Sequence, residues 1–558
     1  MKVDGMGRCR GAGLLLVGWL VAVAGAETLT YTLTPHPESG TLEVQLLWQT
    51  EGRSRSALCV SEKWGSVSNV AALLRDVRVV GATGGTRDGG CWLVQHRRGA
   101  TLECTYRVDP RCRAFDWERT HLPITSEGFF HGIGNTFLLV PRPGDDGAPE
   151  VYDVLLRWKL PEGWKAVCSW GVGRNLGMPM SVHDLRQSVY VAGPLVQHTE
   201  KLEGGEDLTV ALLGEFGFDA VAMWRLAAQV ITAQCNLVGE RQFPPYVVTV
   251  IPVGAPVTGG VSHLSGNGLY QSFTLALPPG GGLTEGVEHL LAHEMFHFWN
   301  GWKLRAAGPE GLVMWFTEGF TDYYALRSLY ESGRWDAATL AKWVNRHLRE
   351  YDANPARNAT NEQIERSYWS KRDTVGEVPY QRGLLLAIRW HYLARQQGVA
   401  GGVDALMRSL LEMGRRESFR LSNGAIRSTG ERVLGGWFAG EFEAYVERAR
   451  TVDTPGAALG PALQGDVTTV FAFELGFDRV KSGEAKKVRG LVRGSAAEKA
   501  GLREGDELVG WRIPGDADSE VTIQVRREGE VKSIKYLPRG EASEVLQFEL
   551  AEGASHKP

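Results

Sequence analysis

The chain has little cysteine, seven residues in 558, and none of it stands in a Cys-x-x-Cys spacing. That excludes a zinc finger or ribbon built from closely spaced thiolates. An excess of one charge is missing too. Lysine and arginine number 61 against 65 aspartates and glutamates, for a net charge of −4. A surface made for nucleic acid needs a strong basic bias, so no nucleic-acid partner is expected. Beyond residue 26 no apolar run approaches the roughly 20 residues that span a bilayer, so no integral membrane segment is expected there.

What is present begins at the N-terminus. Lys2, Arg8 and Arg10 precede the apolar run Leu14–Ala24, which closes on Ala24-Gly-Ala26. A basic region, a short apolar core and a small-residue cut site predict a signal peptide over residues 1–26 and a periplasmic or secreted protein. The six cysteines left, Cys59, Cys91, Cys104, Cys112, Cys168 and Cys235, suit export as disulfides. Their pairing stays open; Cys91 with Cys104, or Cys104 with Cys112, would staple local hairpins.

Apolar residues alternate with polar ones in short runs over residues 27–214, as in Thr41–Trp48 and Val151–Trp158, between Gly, Pro and Asp turns. Period two with turn punctuation predicts an N-terminal antiparallel β domain. Near Phe216 the period lengthens. Asp219–Gln234 reads as an amphipathic helix, Tyr246–Pro252 as a buried strand, and most of the stretch to residue 452 as helices. An α/β piece leading into a helical piece is expected over 215–452. Residues 453–465, rich in Pro, Gly and Ala, read as a linker to a last domain over 466–545.

The chemistry concentrates in two short segments, Leu291-Ala-His-Glu-Met-Phe-His-Phe-Trp-Asn300 and Trp315-Phe-Thr-Glu-Gly-Phe-Thr-Asp322. Residues four apart on a helix share a face, so His293 and His297 can direct two imidazoles at one zinc ion. Glu318 supplies a third ligand. Two histidines and a carboxylate leave one position for water, as catalytic zinc sites do. Glu294 stands where it can take a proton from that water. Asp322, four residues after Glu318, can accept the other ring N–H of a zinc histidine and fix its tautomer. One Zn²⁺ per chain is expected.

The segment Val488–Val509, with Ala500-Gly-Leu502 and Gly505-Asp506, reads as strand, turn, short helix, turn and strand. It resembles a PDZ domain over about Val467–Leu537. The resemblance makes Glu474-Leu-Gly-Phe477 a loop that holds a peptide C-terminus beside an added strand, unless the domain docks on its own catalytic partner.

With these features together, the chain resembles the glycyl aminopeptidase family of thermolysin-like zinc metallopeptidases. The resemblance covers nearly all of the chain after residue 26 and is strongest at His293–Asn300 and Trp315–Phe320. It implies a thermolysin-like catalytic domain, peptide or protein substrates, His293, His297 and Glu318 as zinc ligands, and Glu294 as general base. It also implies that Tyr380, in Val378-Pro-Tyr-Gln-Arg-Gly383, stabilises the transition state. One departure stands out. Where the family has a Gly-Gly segment followed by a carboxylate for the substrate's free amine, this chain reads Gly259-Gly260-Val-Ser262-His263. A hydroxyl does not pair with an ammonium as a carboxylate does. Gly259, Gly260, Ser262 and His263 are therefore expected at the substrate with aminopeptidase-like or relaxed specificity. An endopeptidase, a zinc hydrolase acting on a non-peptide substrate, and a PDZ-bearing scaffold with a non-catalytic metal site remain the alternatives.

Overall fold

The structure, a computed structural model, describes residues 27–553 apart from 114, 116, 118, 143–149, 204, 241–242, 259–260, 262, 369 and 417. The expected leader, residues 1–26, and the expected substrate contacts Gly259, Gly260 and Ser262 lie outside the described residues. Two units form. One runs to Trp224 and includes Pro244–Leu283; the other holds Arg225–Phe243 and everything from Thr284.

In the first unit, nine strands carry most of the β structure. They are β1 (Thr28–His36), β2 (Thr41–Gln49), β3 (Arg55–Cys59), β4 (Leu74–Val80), β5 (Ala82–Asp88), β6 (Cys91–His96), β7 (Thr101–Val108), β8 (Val151–Trp158) and β9 (Asn175–Ser181). Six make one sheet in the order β9-β8-β1-β2-β7-β4, antiparallel except where β1 runs parallel to β8. The period-two pattern is the cause: Leu29, Tyr31 and Leu33 on β1 and Val44, Leu46 and Trp48 on β2 all face the core. A disulfide joins Cys59 to Cys91, which sit directly opposite each other on β3 and β6. The pairing left open by the sequence is thus neither of the two local hairpin staples. Cys104, instead of stapling a hairpin, is a buried thiol pushed up to about 12 by burial.

A second sheet of this unit draws on both sides of residue 214. Its strands are β10 (Val196–Lys201), β11 (Asp207–Leu212), β12 (Tyr246–Pro252), β13 (Ser265–Leu269) and β14 (Ser272–Leu277), in the order β10-β11-β12-β14-β13. The three central strands are parallel, and Tyr246–Ile251 is buried at every residue. Near-continuous apolar strands of this kind need cover on both faces.

The second unit is helical and then β. Helix α1 (Ala220–Val238) enters it at Arg225; α2 (Glu285–Phe296), α3 (Gly319–Glu331), α4 (Ala337–Ala353) and α5 (Val378–Gln396) follow. Thr284 caps α2 as expected, its hydroxyl accepting from Val287 N. Gln234 of α1 is fully buried and donates to the Ala292 carbonyl at 2.7 Å, fixing the helix that carries both candidate histidines. Among the described residues no helix is long and apolar enough to cross a membrane.

The terminal part begins with a long antiparallel pair, β15 (Leu463–Phe473) with β19 (Arg539–Leu550). Between them β16 (Glu507–Arg512), β17 (Val521–Arg527) and β18 (Glu530–Tyr536) form a three-stranded sheet over a core of Phe477, Val488, Leu502, Ile523 and Ile534. Directly after Glu474-Leu-Gly-Phe477 the chain forms a helix, Arg479–Ala485. Strand β19 lies on α4. The Asn345 side chain donates to the Phe548 carbonyl at 2.8 Å and accepts from its N–H at 2.7 Å.

Candidate functional site

The second unit brings the candidate ligands together. His293 and His297 stand one turn apart on the last turn of α2, and Glu318 immediately precedes α3. Their inward atoms form a triangle. His293 Nε2 lies 3.0 Å from His297 Nε2 and 3.3 Å from Glu318 Oε2, and His297 Nε2 lies 3.4 Å from that oxygen. These three residues can hold a metal ion. Ligands about 2.0–2.1 Å from a tetrahedral zinc stand about 3.3–3.4 Å from one another, so the triangle fits that ion with one position left over.

The outer nitrogens are held in turn. His293 Nδ1 donates to Asp322 Oδ1 at 2.7 Å, and His297 Nδ1 to the Asn300 carbonyl at 3.2 Å. Each contact protonates Nδ1 and turns the Nε2 lone pair inward. Burial works against charge on His293, but Asp322 and Glu318 outweigh it and hold this imidazole well above the ordinary histidine value. The same pairing, with His297 first, holds Glu318 well below the usual carboxylate range despite burial. His289 Nε2 stands 3.2 Å from the same Asp322 oxygen, with its ring stacked on Trp343.

Glu294 projects from α2 between the two histidines in sequence and is half-buried. Tyr380, in the first turn of α5, lies beside the triad with its ring stacked on His293 at 6.0 Å between centroids. Burial and the Glu318 charge push its hydroxyl well above the usual tyrosine value, so it stays a proton donor. His263 lies in the first unit, exposed, with its ring 5.8 Å from that of Trp117.

Three features escape the sequence reading. Tyr368 hydrogen-bonds Tyr380 through the two hydroxyls, from a short helix ending at Ser367. Asn300 is fully buried, and its Nδ2 donates to the Phe316 carbonyl at 2.9 Å and to Thr321 Oγ1 at 3.2 Å. One residue thus grips both His297 and the segment that presents Glu318; its place at the end of the His-Glu-x-x-His segment was the available signal. The third is a glycine contact. A Cβ on Gly383 would stand 1.7 Å from the Trp315 carbonyl oxygen, and one on Gly319 2.3 Å from Gly383 Cα. Only glycine at both positions lets α5 approach closely enough to set Tyr380 beside Glu318.

Residues 287–382 match the family model described as M61 glycyl aminopeptidase. The chain also resembles the crystal structure of an aminopeptidase N family protein from Idiomarina loihiensis at a TM-score of 0.67 and 14% identity, over 94% of this chain and 98% of the other. An M1 zinc metallopeptidase from Deinococcus radiodurans aligns at a TM-score of 0.49 and 16% identity, over 77% of this chain and 95% of the other. No curated protein matches the chain. At such identities the likeness speaks for the fold. The family match, together with a ligand triangle that fits zinc, makes the chain a zinc metallopeptidase, a hydrolase.

Proposed function

We propose that this chain is an exported, aminopeptidase-like peptidase of relaxed specificity, with His293, His297 and Glu318 holding one zinc ion. The triangle of inward ligand atoms, its outer nitrogens already satisfied, carries the reading. Zinc bound there supplies Lewis-acid polarisation of the peptide carbonyl and acidifies a bound water. Glu294 takes the water proton and returns it to the leaving amine. Tyr380 donates its hydroxyl hydrogen bond to the oxygen on which charge develops, and Tyr368 holds that hydroxyl in place. Asp322 and Asn300 keep the two imidazoles in the ligating tautomer. The Cys59–Cys91 disulfide and the composition of residues 1–26 support export.

Specificity rests on Gly259, Gly260, Ser262 and His263. Gly259 and Gly260 admit the substrate backbone, and Ser262 offers a hydroxyl in place of a charge for the free amine. The same substitution favours an endopeptidase as the second reading. Two measurements test the proposal. Glu294→Gln should retain zinc and lose peptide hydrolysis by about 10³-fold or more; full activity would remove Glu294 from the mechanism. Cleavage profiling of matched peptides with free and blocked N-termini then separates the two readings. Equal cutting of both sets favours the endopeptidase, whereas zinc binding with no turnover on any peptide favours a scaffold.

A further inference from the structure

Helices α3 (from Tyr323), α4 and α5 (from Leu384), with the segment Gly456–Gly465, line an open cavity of about 1000 Å³ that shares no residue with the zinc triad. It lies at the upper end of the size of small-molecule sites, about 300–1,000 Å³. One part of the wall is aliphatic: Leu326, Leu340, Val344 and Ile388 are all buried and present only hydrocarbon. Another part is cationic and phenolic. Arg327 is fixed by buried Asp404 at 2.8 Å, by Glu331 at 2.6 Å and by the Tyr323 hydroxyl at 3.2 Å, so its own charge is compensated. Arg395 is exposed and lines the same cavity with no ion-pair partner among the described residues, so water alone solvates its charge. Burial, helped by the charges of Arg327 and Arg395, lowers the His391 pKa and favours its neutral form, and its buried Nδ1 has no hydrogen-bond partner.

An aliphatic wall beside one unpaired guanidinium and the phenols of Tyr330 and Tyr392 selects a molecule with an apolar body and a single negative head. We propose that this cavity is a second ligand site, distinct from the zinc site, that binds an apolar monocarboxylate, with the head at Arg395 and the body against Leu340, Val344 and Ile388. A fatty acid and the carboxyl end of an apolar peptide share that chemistry. Either occupant would brace α3 against α5 and so couple to the residues those helices present to the zinc.

Titration calorimetry tests the assignment on the full zinc-loaded chain carrying Glu294→Gln, which excludes turnover. The probes are decanoate, N-acetyl-leucyl-phenylalanine and, as the uncharged control, decanol. Saturable binding of one carboxylate is expected, with decanol at least tenfold weaker. Decanoate alone would point to a lipid source, and the dipeptide alone to peptide ends. Arg395→Glu, on an exposed side chain that leaves circular dichroism and zinc content as they were, should weaken binding at least tenfold. Ile388→Trp, which fills the cavity, should abolish it. No saturable binding of either carboxylate, equal affinity for decanol, or affinity unchanged by Arg395→Glu would each overturn the proposal. If Ile388→Trp does not fold, Arg395→Glu decides.

Discussion

The zinc segment and the terminal domain each carry a short motif, and the two motifs behave differently in the folded chain. His293, His297 and Glu318 converge within 3.4 Å of one another, and the outer nitrogen of each histidine has a partner. Glu474-Leu-Gly-Phe477, by contrast, leads into a helix, and the domain spends a strand on docking to α4. The ligand motif works only if several side chains reach one point, which constrains the packing of α2 against α3. A glycine-containing loop constrains little beyond its own backbone, and Gly476 at φ +80 satisfies that locally.

Substitutions in the two regions should separate accordingly. The largest effect belongs to Glu318→Ala, which should strip the metal and abolish hydrolysis, as seen by metal analysis and peptide turnover; metal retained at full stoichiometry would break the assigned triangle. Gly383→Ala comes next, because its Cβ meets backbone 1.7 Å away that cannot rotate aside. A cost of about 3 kcal/mol or more is expected in denaturant unfolding, and a neutral result would refute the close-crossing account.

Asp322→Asn should weaken zinc binding by about 10–100-fold, measured by chelator competition at fixed pH. The pH dependence has a definite sign. His293 binds a proton above its ordinary value of 6.5 when Asp322 and Glu318 face it, so protons compete with zinc already near neutrality. Zinc affinity should therefore fall as the pH is lowered through that raised range, and should not fall as the pH rises. The smallest effect is expected at the docking contact. Asn345→Ala removes two hydrogen bonds to Phe548 and should cost about 1–2 kcal/mol of stability with little change in turnover, by thermal unfolding and peptide assay. A large loss of turnover there would erase the distinction between the two regions.

Much of the site was legible before the fold was known, because it is written locally. The spacing of His293 and His297, the cap at Thr284 and the position of Asp322 relative to Glu318 all follow from helix geometry. Tyr368 was not legible, since its partner lies twelve residues away across a helix boundary that no period reveals. The Gly319–Gly383 contact was hidden for the same reason: each glycine reads alone as a weak helix position, and its purpose exists only at the crossing. Cysteine pairing stayed open in the sequence because proximity in the chain was the only guide, whereas Cys59 meets Cys91 through the register of β3 against β6. The alternating runs forecast strands well, but could not say that β10 and β11 would leave the N-terminal pattern to join parallel strands after residue 214.

The grip of Asn300 has a kinetic consequence. Through one side chain and its own carbonyl it ties the second histidine to the backbone that presents the glutamate, so neither ligand can swing away while the other stays. Release of an ion held there would be favoured by joint opening of both elements. The lifetime of such an ion would follow the frequency of that local opening more than the breaking of one coordination bond. An ion held at this triangle would then leave slowly when a chelator is added, even where equilibrium favours its loss.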